Sequence, residues 1–119
     1  MHFASAFCIV FLPLAATAQE YKPPKIVGVR VGIADRYKAG VWTQVDVTVR
    51  GGSELLTGEV AVVVADSDGV PACSTTPPAR PCQVRPGEKT TVRLITRFGH
   101  VNGNLRAEFR VSRQVRASR

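Results

Sequence analysis

The sequence predicts an all-β fold, an antiparallel β-sandwich of about six to seven short strands preceded by a signal peptide. In several segments apolar and polar residues alternate, which is the period of a strand with one buried and one solvent-facing side. Turn-forming residues separate these segments at intervals of roughly 8 to 12 positions, a spacing typical of sandwiches and small barrels. No segment of useful length has the 3.6-residue period of an amphipathic helix.

The first residues are not expected to belong to the folded domain. Residues 3–14 (FASAFCIVFLPL), which include Cys8, form an apolar run of signal-peptide length that is too short to span a bilayer. Ala16-Thr17-Ala18 provides the small-x-small pattern of a cleavage site, so cleavage is predicted after Ala18. Because little positive charge precedes the run, a short N-terminal membrane anchor or a buried apolar strand is the alternative. No second apolar run follows, which predicts an exported mature chain (periplasmic, cell-surface or secreted) without a transmembrane segment.

Five strands follow from the alternation, and one or two shorter strands are expected around the cysteines. The inward-facing residues are predicted to include Val27, Val29, Val31 and Ile33 on the first strand and Val45, Val47 and Val49 on the second. Arg30, Trp42 and Arg50 are predicted to point outward. The five strands are predicted at residues 25–33, 41–50, 58–65, 89–98 and 105–111.

The predicted domain organisation has four parts. The signal peptide (1–18) and an extended, proline-containing lead-in (19–24) precede the sandwich domain (25–112), and a basic tail or linker (113–119) follows it. Since this strand number is close to the minimum for a sandwich, the chain is also interpreted as a fragment or first domain of a larger protein.

Three segments resemble a known family. Residues 42–49 have the pattern W-x-x-V-x-V-x-V, residues 58–64 have Gly-Glu-Val followed by a valine run, and residues 84–92 have V-x-P-G-E-x-T-x-V. In this order they resemble the immunoglobulin-like β-sandwich modules of bacterial exported and cell-surface proteins. The resemblance implies an immunoglobulin-like fold and a role as a spacer, accessory domain or interaction surface. It implies no functional residue, because the family pattern has none.

The charge of the chain is strongly uneven. The formal net charge is +7 and the pI is about 10.0. Six Lys/Arg and seven Asp/Glu precede position 80, whereas ten Lys/Arg and two Glu lie at position 80 and beyond.

Four arginines are predicted to point outward from adjacent strands and to form one basic face: Arg93, Arg97, Arg106 and Arg110. Such a face attracts acidic glycans, other anionic cell-surface polymers or anionic lipid headgroups, while nucleic acid is not expected for an exported protein without a recognition motif. The alternative is that these arginines only keep the face soluble and discourage edge pairing.

Trp42 and the two mature cysteines are the other residues of interest. An exposed Trp beside polar residues stacks sugar rings in many binding sites, and the alternative is that Trp42 covers the core or the sheet edge.

Cys73 and Cys82 bracket a proline-rich loop, and two cysteines in an exported chain predict a disulfide that closes a hairpin. Their spacing does not match a C-x-x-C redox pair or a zinc site.

No catalytic or metal site is predicted. His100 is expected to be a solvated loop residue, and Asp66-Ser67-Asp68-Gly69 has the start of a calcium loop without its closing acidic ligand, so it is interpreted as a turn. The sequence therefore predicts a non-catalytic module without a cofactor, acting as a spacer or interaction domain. The alternative is a glycan- or polyanion-binding module that uses the four arginines or Trp42, with anionic cell-surface polymers or other domains of a longer protein as partners.

Overall fold

The computed structural model describes residues 21–100 and 104–119, so the predicted signal peptide and its cleavage site lie outside the described residues. The described residues form strands and turns without a helix, and none of their segments is a helix that could cross a membrane. The strands are β1 (Lys25–Val31), β2 (Trp42–Arg50), β3 (Leu56–Ala65), β4 (Pro71–Thr75), β5 (Cys82–Val84), β6 (Lys89–Arg97), β7 (Leu105–Val111) and β8 (Gln114–Ser118).

The strands form two antiparallel sheets, which confirms the predicted all-β antiparallel architecture. The three-stranded sheet has the order β1-β2-β6, and the second sheet has the order β4-β3-β7-β8, with β5 also paired to β3. β4 and β5 lie one after the other along the same edge of β3, because β4 pairs with residues 61–65 and β5 with residues 56–58. The chain changes sheets between β2 and β3, between β5 and β6, and between β6 and β7.

The core between the sheets is built from the predicted alternation. On β2, Val45, Val47 and Val49 are fully buried, and their neighbours on the chain face outward. On β3 a continuous run is buried, as the valine run predicts. Phe98 and Phe109 are the largest fully buried side chains. Complete burial of one such side chain contributes roughly 1.5–3 kcal/mol to folding, so the facing valines and the two phenylalanines hold the sheets together.

The first strand differs from its prediction at both ends. A β-bulge at Val27 shifts the pairing, so that Ile26 rather than Val27 enters the core. Ile33 was predicted to point inward and is 87% exposed. The reason is Gly32, whose φ of 57° ends the strand and leads into a two-residue turn that pairs Ile33 with Arg36.

The end of the chain forms a strand rather than the predicted tail or linker. β8 pairs antiparallel with β7 through a two-residue turn, in which Ser112 and Arg113 both have positive φ. Ala117 pairs with Phe109 and packs against the core. An edge strand needs only one such inward contact, because backbone hydrogen bonds to β7 supply the remaining stabilisation. The apolar pattern of this segment was therefore too weak to be recognised among its arginines.

Candidate binding face

The outer side of the three-stranded sheet is strongly basic. Residues opposite each other in antiparallel pairs project to the same side of a sheet, so the register of β1, β2 and β6 defines which side chains share this surface. The surface has a formal charge of +5, with six cations and one carboxylate, and extends over about 27 Å from residue 42 to residue 50. We call it the basic face, and its charged members are Lys25, Arg30, Asp46, Arg50, Lys89, Arg93 and Arg97.

The only carboxylate of the basic face organises its central row. Asp46 lies between Arg30 and Arg93 on the neighbouring strands, and its Oδ1 accepts a hydrogen bond of 3.1 Å from Arg93 Nε. The guanidinium of Arg93 also donates to the Gln44 amide carbonyl, at 2.9 and 3.1 Å, when that amide is oriented to satisfy both its oxygen and its nitrogen. Because the Arg93 side chain is 66% exposed, this ion pair contributes only about 0–1 kcal/mol to stability.

One end of the basic face holds a row of three cations without a carboxylate. Lys25 lies opposite Arg50, and Arg50 lies opposite Lys89. None of the four salt bridges among the described residues involves these side chains. Like charges directly opposite each other destabilise a sheet, so this row is unfavourable unless an anion neutralises it. Beside the row is an open cleft of about 510 Å³, which Lys22 and Gly51 also line.

The other end of the basic face holds an exposed tryptophan. Trp42 is 67% exposed and lies directly opposite Arg97. It borders an open cleft of about 630 Å³, whose lining is partly apolar and partly cationic. The lining residues are Gly32, Ile33, Arg36, Tyr37, Lys38, Val41, Trp42, Thr43 and Gln44.

The wall of this cleft is a strained turn. Ala34 and Asp35 both have left-handed backbone, with φ of 52° and 58°, which is unfavourable for residues that carry a side chain. Asp35 Oδ1 accepts a hydrogen bond of 3.1 Å from the Val31 backbone N–H and holds the turn against the sheet. Below the turn, Tyr37 stacks on the buried Phe98, with ring centroids 4.0 Å apart. The turn therefore holds Ile33 in solvent, and Tyr37, which follows the turn, is anchored on the core.

The four arginines of the predicted basic face do not share a surface, and that prediction was wrong. Arg93 and Arg97 lie on β6 in the three-stranded sheet, whereas Arg106 and Arg110 lie on β7 in the other sheet. The prediction treated β6 and β7 as neighbours because they are consecutive in the chain. In the fold, the chain crosses between the sheets at this point, so the two pairs of arginines are separated by the core.

The two arginines of β7 are neutralised by carboxylates. Arg106 Nε contacts Glu108 Oε1 at 2.7 Å, and Arg110 donates to Glu108 Oε2 from Nε at 2.8 Å and from Nη2 at 2.6 Å. Glu59 adds a further ion pair to Arg110 at 3.8 Å. The hydrogen bonds to Glu108 raise the pKa of the Arg110 guanidinium above its already high ordinary value. Since Glu108 is only 6% exposed, these contacts serve to hold a buried carboxylate.

The predicted disulfide between Cys73 and Cys82 is absent, and both residues are free thiols. Cys73 pairs with Val63 on β3 and Cys82 pairs with Gly58, so they lie five register positions apart on the same edge. That separation is about 17 Å along the strand, whereas bridged cysteines have Cα atoms within about 7 Å. The prediction assumed a hairpin that folds back between the cysteines. The proline-rich segment instead bulges out from one continuous edge of β3.

Among residues 21–100 and 104–119 no group of three or more His, Cys, Asp or Glu side chains is arranged to hold a metal ion. In the DSDG segment, Asp66 Oδ1 accepts hydrogen bonds from the backbone N–H groups of Asp68 and Val70, at 2.9 and 2.8 Å. Gly69 completes the turn with a φ of 81°. The Asp66 carboxylate is thus engaged by the turn itself, as expected for an Asx turn.

The sequence contained part of the signal for the basic face. The alternation placed Arg30 and Arg50 outward, but it gave no sheet order, and without that order these residues could not be assigned to the same surface as Lys89, Arg93 and Arg97.

Comparison of the chain with protein-family models, with curated proteins and with solved structures found no match.

Proposed function

We propose that this chain is a non-catalytic, exported interaction module that binds an anionic polymer along the basic face. The observation that carries the proposal is the charge of that face, where six cations accompany only one carboxylate. Lys89, Arg93 and Arg97 recur at every fourth residue of β6, so they present positive charge at intervals of about 13–14 Å along a straight line. A linear polyanion is the ligand that matches such a row.

We further propose that the sandwich is immunoglobulin-like, which suits a module of a larger exported protein. The strand order supports this topology if β4 and β5 are counted as one interrupted strand. The first, second and fifth strands then share one sheet, and the third, sixth and seventh share the other, as in immunoglobulin-like domains. The fourth strand lies beside the third, whereas in constant-type immunoglobulin domains it lies in the first sheet.

The competing function is a passive spacer whose arginines and lysines only maintain solubility. Two variants with the same change in net charge distinguish it from a binding module. Lys89→Glu/Arg97→Glu reverses two cations of the basic face, whereas Arg113→Glu/Arg116→Glu reverses two exposed cations at the β7–β8 turn and on β8. We expect the first variant to lose retention on immobilised heparin at about 0.1 M salt, and the second to elute close to the wild-type protein. Equal losses in both variants indicate non-specific attraction by net charge, and no retention of the wild type refutes the proposal.

A further inference from the structure

We propose that the cleft beside Trp42 receives a pyranose ring of an acidic polysaccharide, whose anionic groups continue along the basic face. This inference rests on the proposed function and names the chemical class of its ligand. It is carried by the shape of the cleft, by the exposure of Trp42 and by the position of Arg97.

The first step is the exposure of the apolar residues at this end of the sheet. Trp42 is 67% exposed, Ile33 is 87% exposed and Val41 is 52% exposed, and all three line the same cleft. Contiguous exposed apolar residues with a polar rim mark interaction sites in soluble proteins. The cleft volume of about 630 Å³ lies within the range of roughly 300–1,000 Å³ that is typical of small-ligand sites.

The second step is the mixture of chemical groups in the cleft. The indole offers an apolar aromatic surface, on which the C–H face of a sugar ring stacks. Gln44 is also in the lining, as are the cationic residues Arg36 and Lys38. A sugar ring has one apolar face and polar edges, so it matches this combination better than a purely apolar ligand does.

The third step is the continuity between the cleft and the basic face. Trp42 is paired with Arg97 across β2 and β6, which places their Cβ atoms about 4.5–5.5 Å apart. The Arg97 guanidinium lines the neighbouring cleft with Gly40 and Asp66. Its long, exposed side chain has to turn toward Trp42 to meet a carboxylate or sulfate on a ring stacked there. The following rings of the same polymer then lie over Arg93 and Lys89, the next outward-facing cations of β6.

The fourth step is the rigidity of the site. Left-handed backbone at Ala34 and Asp35 costs stability, and such strain is retained mainly where function requires a fixed geometry. The hydrogen bond from Val31 N–H to Asp35 and the stacking of Tyr37 on Phe98 hold the cleft before any ligand arrives. A preformed cleft avoids the entropy cost of ordering loops on binding.

The test uses the fact that Trp42 is the only tryptophan of the chain, so that intrinsic fluorescence reports on this cleft alone. The probes are heparin, an acidic polysaccharide, and inorganic polyphosphate, a linear polyanion without rings. Calorimetry measures both affinities, and thermal melting verifies that each variant is folded. We expect heparin to change the Trp42 emission, and Trp42→Ala to weaken heparin binding about tenfold while polyphosphate affinity changes less than twofold.

Ile95→Ala is the matched control. Ile95 is 60% exposed on the same side of the sheet but is not part of the cleft lining, so its truncation is expected to leave both affinities unchanged. Heparin binding without a change in Trp42 emission, or equal losses for both polymers in Trp42→Ala, overturns the ring site and leaves the proposed function standing. Failure of the wild type to bind either polymer overturns both. Emission changes with phosphatidylglycerol vesicles but not with heparin also overturn the ring site, in favour of a lipid surface.

Discussion

The row of Lys25, Arg50 and Lys89 makes the basic face unfavourable for folding, and its central member provides a quantitative test. In Arg50→Glu, two repulsive pairs become two attractive pairs. Charges about 7 Å apart interact by about 0.6 kcal/mol in water, so the unscreened change in the free energy of unfolding is somewhat above 2 kcal/mol. With partial screening at about 0.02 M salt, we expect Arg50→Glu to gain about 1–2 kcal/mol.

Urea unfolding at about 0.02 M and about 1 M NaCl measures this gain, which is expected to fall to near zero at the higher salt concentration. Arg30→Glu is the matched control, because it makes the same charge change on the same face but lies opposite Asp46. We expect Arg30→Glu to lose about 0.5–1 kcal/mol at low salt. A gain of similar size in both variants, or a gain that persists at 1 M NaCl, would refute the assignment of the effect to the three-cation row. In the same experiments Arg50→Glu should bind heparin more weakly than the wild type, although it is more stable.

Two further predictions concern other parts of the fold. Burial leaves Cys82 only 5% exposed and raises the pKa of its thiol. A thiol reagent at pH 8 should therefore modify the exposed Cys73 within minutes and Cys82 only after denaturation, which peptide mass spectrometry measures. Equal labelling rates in the folded protein would contradict the placement of Cys82 in the core. Replacing Ser112-Arg113 by Asn-Gly should raise the free energy of unfolding in urea by about 1 kcal/mol, because Asn and Gly favour this left-handed turn. Arg116→Gly within β8 should instead lower that free energy. A loss of stability in the Asn-Gly variant would argue against the turn geometry.

The alternation of apolar residues predicted most of the core, because a strand with one buried side repeats every two residues. Val45, Val47 and Val49 are buried as expected, and Phe109 lies in the core on β7. The prediction failed where local backbone geometry changed the period. The bulge at Val27 is such a case, since an inserted residue leaves no mark in an apolar run.

The candidate site was harder to predict than the core, since it depends on which strands are neighbours. Outward positions on β2 were identified correctly, but Arg106 and Arg110 were assigned to the wrong surface. Sheet order arises from long-range packing of the two layers, and the residues at the crossover between β6 and β7 do not encode it locally. The cysteine spacing failed for a related reason, because Cys73 and Cys82 follow one edge of β3 instead of facing each other.

The cations of β7 and those of the three-cation row are arranged differently, and this contrast argues against solubility as the sole reason for the basic face. In the second sheet, Arg106 and Arg110 share the buried carboxylate of Glu108. In the three-stranded sheet, Arg50 lies between two lysines, and no carboxylate of residues 21–100 and 104–119 forms a salt bridge with it. Solubility requires net charge but not a direct opposition of like charges, and dispersing these residues would preserve it at lower cost. The uncompensated row, the exposed Trp42 and the strained turn before it all occur on one side of the molecule, which is the arrangement expected if that side is completed by a ligand.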